Sequence, residues 1–367
     1  MSGHESLVDE LLAGKHRALA RVITRIEDRS PGYRELVSEL HGHTGHAEVI
    51  GVTGSPGAGK STLVDKVAKR YRERGETVGV VAIDPASPFS GGAVLGDRIR
   101  MASNVGDMDV FFRSMSARGS LGGLSTATTD AVKALDAFGK DKIIVETVGA
   151  GQNEVEVVKT ADTVAVLVPP ASGDDVQMLK AGILEIADVF VVNKADLEGA
   201  DRTVQELTEM LRMGDGSPTA GHHGPDATAG RGGGNDSADG RSDNDTGGDK
   251  GDSGGVSDGH EWEPRIVETV ANTGEGIDEL VAALEDHREY LVATGERERQ
   301  ARQRYAAEVR TLLREDVHQL LAEEIEARGG IEAAVDRILA RETDPYSVAD
   351  EVIAPVAERV RERREEE

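Results

Sequence analysis

Residues Gly54-Ser55-Pro56-Gly57-Ala58-Gly59-Lys60-Ser61 read G-x-x-x-x-G-K-S, and this octapeptide constrains the chain more than any other stretch. Val49-Ile50-Gly51-Val52-Thr53 precedes it as a short apolar, strand-like run. Thr62 to Ala68 follows with apolar residues at helical spacing. Strand, glycine loop and helix in that order make a phosphate-binding loop. Glycines let consecutive backbone N–H groups turn inward on phosphate oxygens, and the helix N-terminus adds partial positive charge. Lys60 can reach the β- and γ-phosphates, Ser61 can ligate Mg²⁺, and Thr62 completes the turn.

Further strand-like runs lie at Val78–Ile83, Val110–Phe112, Lys142–Glu146, Thr163–Val168, Val189–Asn193 and Arg265–Glu268. Most are continuously apolar, as in a parallel sheet buried on both faces. Helical patterns fall near Thr62–Arg74, Ser125–Phe138, Val176–Ala187, Arg202–Leu211 and Gly276–Leu284. The alternation predicts an α/β fold of the P-loop NTPase type: a mainly parallel, doubly wound sheet flanked by helices, with helical extensions at both ends. Residues 1–46 read as an N-terminal helical extension, with one amphipathic helix over Glu5–Ile26 and a second after Ser30-Pro31-Gly32. Residues 47–290 read as the catalytic domain. Within it 214–259 is dominated by Gly, Asp, Ser, Asn, Thr and Ala, which predicts a disordered insertion. Residues 291–367 carry apolar stripes through Leu312, Leu313, Val317, Leu320, Leu321 and Ile325, then Ile331, Val335, Ile338 and Leu339, then Val348, Val352, Val356 and Val360. Such stripes need a covering surface, which predicts a helical dimerisation arm and a homodimer.

Several positions at the ends of these strands carry recognisable chemistry. Asn193-Lys194-Ala195-Asp196 closes one strand. The Asp196 carboxylate can accept from guanine N1–H and N2–H₂, which adenine does not offer. Asn193 can brace the loop and the Lys194 stem can cover the base plane. Thr269, Val270 and Ala271 can supply backbone contacts to guanine O6. These residues favour GTP and GDP over adenine nucleotides. Glu146 ends an apolar strand where a carboxylate can hold the Mg²⁺ water shell; the alternative is a carboxylate facing solvent. In the loop after it, Gly149 can offer its N–H to the γ-phosphate and Gln152 can orient the attacking water. Asp84 and Asp97 are two more acids suited to one Mg²⁺ site, and Arg113 and Arg118 can offset phosphate charge or bind a partner. His41, His43 and His46 read as a glycine-broken loop rather than a metal site, and His222-His223 as a weak metal option.

The formal net charge of -26, from 68 acidic and 42 basic residues, argues against nucleic acid and anionic membranes as partners. It is the kind of acidic surface that halophilic proteins carry. With no cysteine, no long apolar run and a polar, acidic start, the expected location is cytoplasmic.

Taken together these residues resemble the MeaB/ArgK-type P-loop GTPases, partners of methylmalonyl-CoA mutase. The resemblance rests on His43-Thr44-Gly45, the phosphate loop, Asp84-Pro85-Ala86-Ser87-Pro88, Gly91-Gly92 to Met101 and Arg118-Gly119-Ser120-Leu121-Gly122-Gly123. It continues through Glu146-Thr147-Val148-Gly149-Ala150-Gly151-Gln152, Gly173-Asp174-Asp175-Val176-Gln177 to Lys180, Asn193 to Asp196, and Asp344-Pro345-Tyr346. It implies a homodimeric GTPase that uses Mg²⁺ and acts as chaperone for an adenosylcobalamin-dependent acyl-CoA mutase, gating cofactor loading and protecting the mutase from damaged cofactor. By this resemblance Lys60, Ser61, Asp84, Asp97 and Glu146 match phosphate and Mg²⁺ positions, and Gln177 and Lys180 match a mobile switch facing the mutase. The insertion and Phe112-Arg113-Ser114-Met115-Ser116, where the family more often has prolines, are departures. A nickel-type metallochaperone GTPase is the alternative, and a kinase using the same loop ranks below it.

Overall fold

The computed structural model describes residues 5–84, 102–104, 106–116, 123–147, 160–170, 186–214 and 261–366. These form two compact units, Met1–Arg304 and Tyr305–Glu367. The predicted insertion and the predicted helix over Val176–Ala187 lie wholly or almost wholly outside the described residues.

Seven parallel strands build the first unit: β1 (Glu48–Gly54), β2 (Val78–Asp84), β3 (Val110–Ser116), β4 (Lys142–Thr147), β5 (Thr163–Val168), β6 (Val189–Asn193) and β7 (Arg265–Thr269). Their order is β3-β2-β4-β1-β5-β6-β7, which puts the strand before the phosphate loop at the centre. Later strands add on either side of β1, so the chain reverses direction there and opens a crevice at the C-terminal ends. Alternate residues feed two cores. Val81, Ile83, Ile143, Val145, Val164, Val166, Phe190 and Val192 face one layer; Ile50, Val52, Val80, Ile144, Ala165, Leu167, Val189 and Val191 face the other. β1, β4, β5 and β6 are buried along their whole length, which is why they read as largely apolar runs.

The first layer contains α1 (Glu5–Leu12), α2 (His16–Glu27), α3 (Tyr33–His41), α5 (Gly123–Ala137) and α6 (Ala200–Gly214). The second contains α4 (Lys60–Glu73) and α7 (Ile277–Thr294). The single helix expected over Glu5–Ile26 is two helices. Gly14 at φ +76 ends the first, in the left-handed region where glycine carries no Cβ penalty. The apolar spacing jumps from Leu12 to Leu19 at that point. Leu7, Leu11, Leu19, Ile23, Ile26, Leu36 and Leu40 are almost fully buried within the same cluster as the sheet.

The N-terminal edge of the sheet is held by carboxylates. Asp141, Asp162 and Asp188 each stand one residue before a strand. Asp141 accepts from Thr77 N, which leads into β2 (2.7 Å). Asp162 accepts from Val49 N of β1 (3.1 Å) and Asp188 from Val164 N of β5 (2.7 Å). Each thus satisfies a backbone donor on the neighbouring strand. Asp136 does the same for Gly45, His46 and Ala47 ahead of β1, at 2.6, 3.2 and 3.0 Å. Glu48 and Lys142 pair at 2.6 Å; burial pushes the Glu48 carboxyl upward and the ammonium opposes it. At the same edge Trp262 donates to Asp188 O (3.0 Å) and lies against the rings of His287 and Tyr290.

A further helix, α8 (Glu296–Ala327), begins in the first unit, where Arg304 donates to Ala161 O (2.8 Å) and Asp162 (2.6 Å). The second unit comprises the rest of α8, α9 (Gly330–Leu339) and α10 (Pro345–Glu366). Among its described residues only Val352 is buried. Tyr305, Val309, Leu313, Val317 and Leu320 form an exposed row, Leu313 at 59%.

The N-terminal helices contribute to the core of the sheet, so Ile23→Ala should lower global unfolding stability by about 2–5 kcal/mol. The exposed Arg21→Ala should change it by less than about 0.5 kcal/mol. Denaturant titration checks both; an unchanged midpoint for Ile23→Ala would mean these helices unfold independently of the sheet.

Candidate functional site

The loop between β1 and α4 owes its shape to two glycines. Gly54 sits at φ +131, and a Cβ there would fall 2.2 Å from the Leu167 carbonyl oxygen of β5. Gly59 sits at φ +95, with its missing Cβ position 2.5 Å from Asn193 Nδ2. The first glycine lets the loop leave a packed sheet; the second lets Asn193 come against the backbone. Directly after the second, Lys60 is buried at 7% exposure, and its ammonium donates to Gly54 O (2.6 Å) and Ser55 O (3.0 Å). Ser61 and Thr62 open α4 half-buried, and Ser55, Pro56, Gly57 and Ala58 complete the turn.

Glu146 is placed by register. It lies beside Val52 of β1 and Ala82 of β2 and is 1% exposed, which rules out the solvent-facing alternative. The Ser61 hydroxyl donates to Glu146 Oε1. A hydroxyl and a carboxylate converging at the mouth of a phosphate loop are an all-oxygen donor set, which fits a hard divalent cation such as Mg²⁺. One step behind, Thr53 and Thr147 hydroxyls bond at 3.0 Å and close the gap between β1 and β4. Asp84 ends β2 at the same edge. Asp97, Gly149, Gln152, Arg118, Gln177, Lys180 and His222-His223 lie outside the described residues.

The second half of the site forms at the ends of β6 and β7. Asn193, 2% exposed, donates through Nδ2 to Ala58 O (2.7 Å) and accepts at Oδ1 from Thr269 Oγ1 and Ala271 N, both 3.1 Å. One carboxamide therefore joins the phosphate loop, β6 and the loop after β7. Lys194 adopts φ +64, unusual for a residue with a Cβ, and its ammonium donates to Gly57 O at 2.9 Å. Ala195 N donates to Thr269 O (3.0 Å), which presents Asp196 exposed at the rim. Thr269, Val270 and Ala271 are buried beneath it.

Two positions have other work. The Arg113 guanidinium, given a phosphate or partner role above, donates to Glu27 (2.6 Å) and Thr24 (3.3 Å) of α2. It fastens a helix to β3, which runs regularly through Ser116. The histidine loop around His43 and His46 sits at the opposite edge, where Asp136 is already occupied by three backbone N–H groups. Among the described residues no cluster of three His, Cys, Asp or Glu could hold a metal, and no helix is long and apolar enough to cross a membrane.

The spacing of the motifs did not reveal Asp65. It is buried in α4 one turn after Ser61 and binds Ser103 and Asn104. Its only signal is an acid in a helix register that otherwise reads as a solvent position.

Residues 19–326 match the sequence profile described as Methylmalonyl Co-A mutase-associated GTPase MeaB. A Pyrococcus abyssi protein, provisionally named a GTPase, is 44% identical over 355 residues, 96% of each chain. GTPase ArgK of Escherichia coli is 32% identical over 82% of this chain and 80% of its own. The Mus musculus protein called Methylmalonic aciduria type A homolog, mitochondrial, is 29% identical over 80% of this chain and 65% of its own. The crystal structure described as LAO/AO transport system kinase has the same fold, with a TM-score of 0.60 at 22% identity across 97% of this chain and 98% of that one.

Removing the Asn193 carboxamide should loosen both halves of the site together. Asn193→Ala leaves Ala58 O and Ala271 N without their partner, at a cost of about 1–3 kcal/mol in unfolding free energy. It should also weaken GDP binding. Denaturant unfolding with and without GDP checks this; a GDP affinity equal to that of the unaltered protein would show that the loops hold their positions without it.

Proposed function

Since the chain belongs to the methylmalonyl Co-A mutase-associated GTPase (MeaB) family and is a P-loop GTPase, we propose that its GTP hydrolysis gates the loading and protection of adenosylcobalamin on methylmalonyl-CoA mutase or a related acyl-CoA mutase. The names of the matching family and of the mouse relative support that partner. The observation that carries the catalytic part is the meeting of Lys60, Ser61 and Glu146 at the C-terminal end of β1, with Asn193 linking that point to the base-reading loop.

In this reading the backbone N–H groups of Gly57 to Ser61 and the Lys60 ammonium bind the β- and γ-phosphates. Asp196 accepts from the guanine edge and rejects adenine, while Thr269 to Ala271 form the floor. Ser61 and Glu146 would hold Mg²⁺ together with Asp84 and Asp97; bound there, the ion neutralises phosphate charge. Gln152 orients a water whose oxygen bonds to the γ-phosphorus as the bond to the β–γ bridging oxygen breaks. The products are GDP and inorganic phosphate. Asp97 and Gly149 complete the site from the sequence pattern.

We further propose that the second unit pairs two copies of the chain into a homodimer. Support comes from the row Tyr305, Val309, Leu313, Val317 and Leu320, with Ile331, Val335 and Leu339, all exposed in the single chain. An apolar surface of this extent on a charged helical unit calls for a cover, and a self-complementary one is the simplest.

GTP turnover should be measured in high and low salt, with and without the adenosylcobalamin mutase from the same cell. The expected result is mutase-stimulated hydrolysis of GTP over ATP. Lys60→Ala should lower kcat/KM by at least roughly a hundredfold. Asp196→Ala should erase most of the preference for GTP, an effect of similar size. Turnover that no cobalamin mutase alters would remove the mutase as partner while leaving the GTPase. By light scattering, Leu313→Glu with Val317→Glu should convert a dimer to monomers; an unaltered mass would discard the pairing.

A further inference from the structure

Helix α4 carries Lys60 and Ser61 on its first turn and turns Leu63, Val64, Val67, Ala68 and Tyr71 toward the sheet. Asp65 points elsewhere, yet it is 4% exposed. A buried carboxylate is costly unless its oxygens are well met. Here Oδ1 accepts from Ser103 N (3.0 Å) and Asn104 Nδ2 (2.9 Å), and Oδ2 lies 3.3 Å from Ser103 N. The same Asn104 amide donates to the Asp65 carbonyl oxygen (3.0 Å), and Asn104 is itself 7% exposed. The neighbouring Lys66 donates to the Ser103 hydroxyl (2.7 Å) and lies 3.6 Å from Asp65 Oδ2. A three-residue 3₁₀ turn, Ala102–Asn104, is thereby fixed to the phosphate-loop helix through both backbone and side-chain groups.

The placement matters more than the number of bonds. Asp65 follows Ser61 by four residues, so the two share one face of the helix, with Cβ atoms about 5–6 Å apart. β2 ends at Asp84, and the anchored turn begins at Ala102. The intervening sequence, 85–101, contains Asp97, five residues before the clamp. The clamp therefore fixes the residues next in sequence to this stretch onto the helix that presents Ser61. Further along α4 the same side stays fastened: Arg72 pairs with Asp107 (2.9 Å) and Asp109 (2.6 Å). Asp65 is the member of this row closest to the phosphate loop.

We propose that Asp65, through Ser103 and Asn104, is a positioning residue for GTP hydrolysis: it anchors the Ala102–Asn104 turn on the helix that presents Ser61 and so sets the turnover rate without contributing to nucleotide affinity. This rests on the GTPase reading above. Asp65 touches neither phosphate nor base; its effect passes through the anchored turn. Misplacement of a reacting group by about 1 Å can cost two orders of magnitude in rate, whereas GDP is held by Lys60, the loop amides and the guanine site.

The clamp is testable through its acceptor and its donor. Asp65→Ala leaves Ser103 N and the Asn104 amide without the carboxylate oxygen they share, and Asn104→Ala removes both amide bonds to Asp65. Asp65→Asn keeps an oxygen that can accept from Ser103 N and Asn104 Nδ2, and so serves as the conservative variant. Single-turnover GTP hydrolysis, GDP affinity and thermal unfolding should be measured for the unaltered protein and all three variants. Each alanine variant should hydrolyse at least roughly tenfold more slowly, with GDP affinity within about threefold, and Asp65→Asn should keep most of the rate. Unchanged rates in the alanine variants would overturn the proposal. So would rate and GDP affinity falling together with the melting temperature in those variants, which would reduce the clamp to a fold contact. No hydrolysis by the unaltered protein would instead overturn the GTPase reading on which it rests.

Discussion

The Asn193 carboxamide is the interaction on which the nucleotide site depends. Its donor end holds Ala58 O in the phosphate loop and its acceptor end holds Thr269 and Ala271 beyond β7. These segments leave three different strands, and the one carboxamide bridges them. The contact is close because Gly59 has no Cβ to fill the space that Asn193 Nδ2 approaches. An acid here would put a negative oxygen against a carbonyl, and a shorter side chain would not span the gap. The requirement for glycine in the loop and for asparagine at the end of β6 is thus a single packing condition, seen from two places in the sequence.

The two edges of the sheet are built on opposite principles. At the N-terminal edge Asp141, Asp162 and Asp188 receive N–H groups of neighbouring strands, Asp136 receives three more, and Arg304 brings α8 onto Asp162. Backbone donors there have acceptors supplied by side chains just ahead of the strands or, for Asp136, at the end of α5. At the C-terminal edge the side chains that meet are the ones suited to phosphate, metal and base. Every strand is parallel, so all loops that carry this chemistry leave from one edge. The clamp at Asp65 belongs to the second edge in position and resembles the first in construction: a buried carboxylate receiving a backbone N–H.

Much of this was legible in the sequence for a physical reason. Strands buried on both faces must be largely apolar, so β1, β4, β5 and β6 stood out, whereas β7, exposed at Arg265 and Glu268, was legible from the strand–helix alternation; the phosphate loop and Asn193 motif are short because each residue has a fixed atom to meet. What was not legible depended on distant partners. The break at Gly14 left only a jump in apolar spacing from Leu12 to Leu19, easily passed over because the amphipathic pattern resumes beyond it. Arg113 looks free until Glu27 is placed beside it by the packing of α2. Asp65 and Asn104 are 39 residues apart and carry no shared pattern. The edge aspartates do leave a trace, an acid immediately before each apolar run at Asp141, Asp162 and Asp188. That trace is readable only once strand order shows which neighbour each one serves.

Trp262 gives the quiet edge an optical consequence. It is the single tryptophan of the chain, fixed by its indole N–H on Asp188 O and enclosed by His287, Tyr290 and the Arg265 guanidinium. Its emission is therefore a private gauge of the stapled edge, with the length of the strands between it and the phosphate loop. Light absorbed there reads whether β5, β6 and α7 remain together, and is by construction nearly blind to which nucleotide occupies the other end.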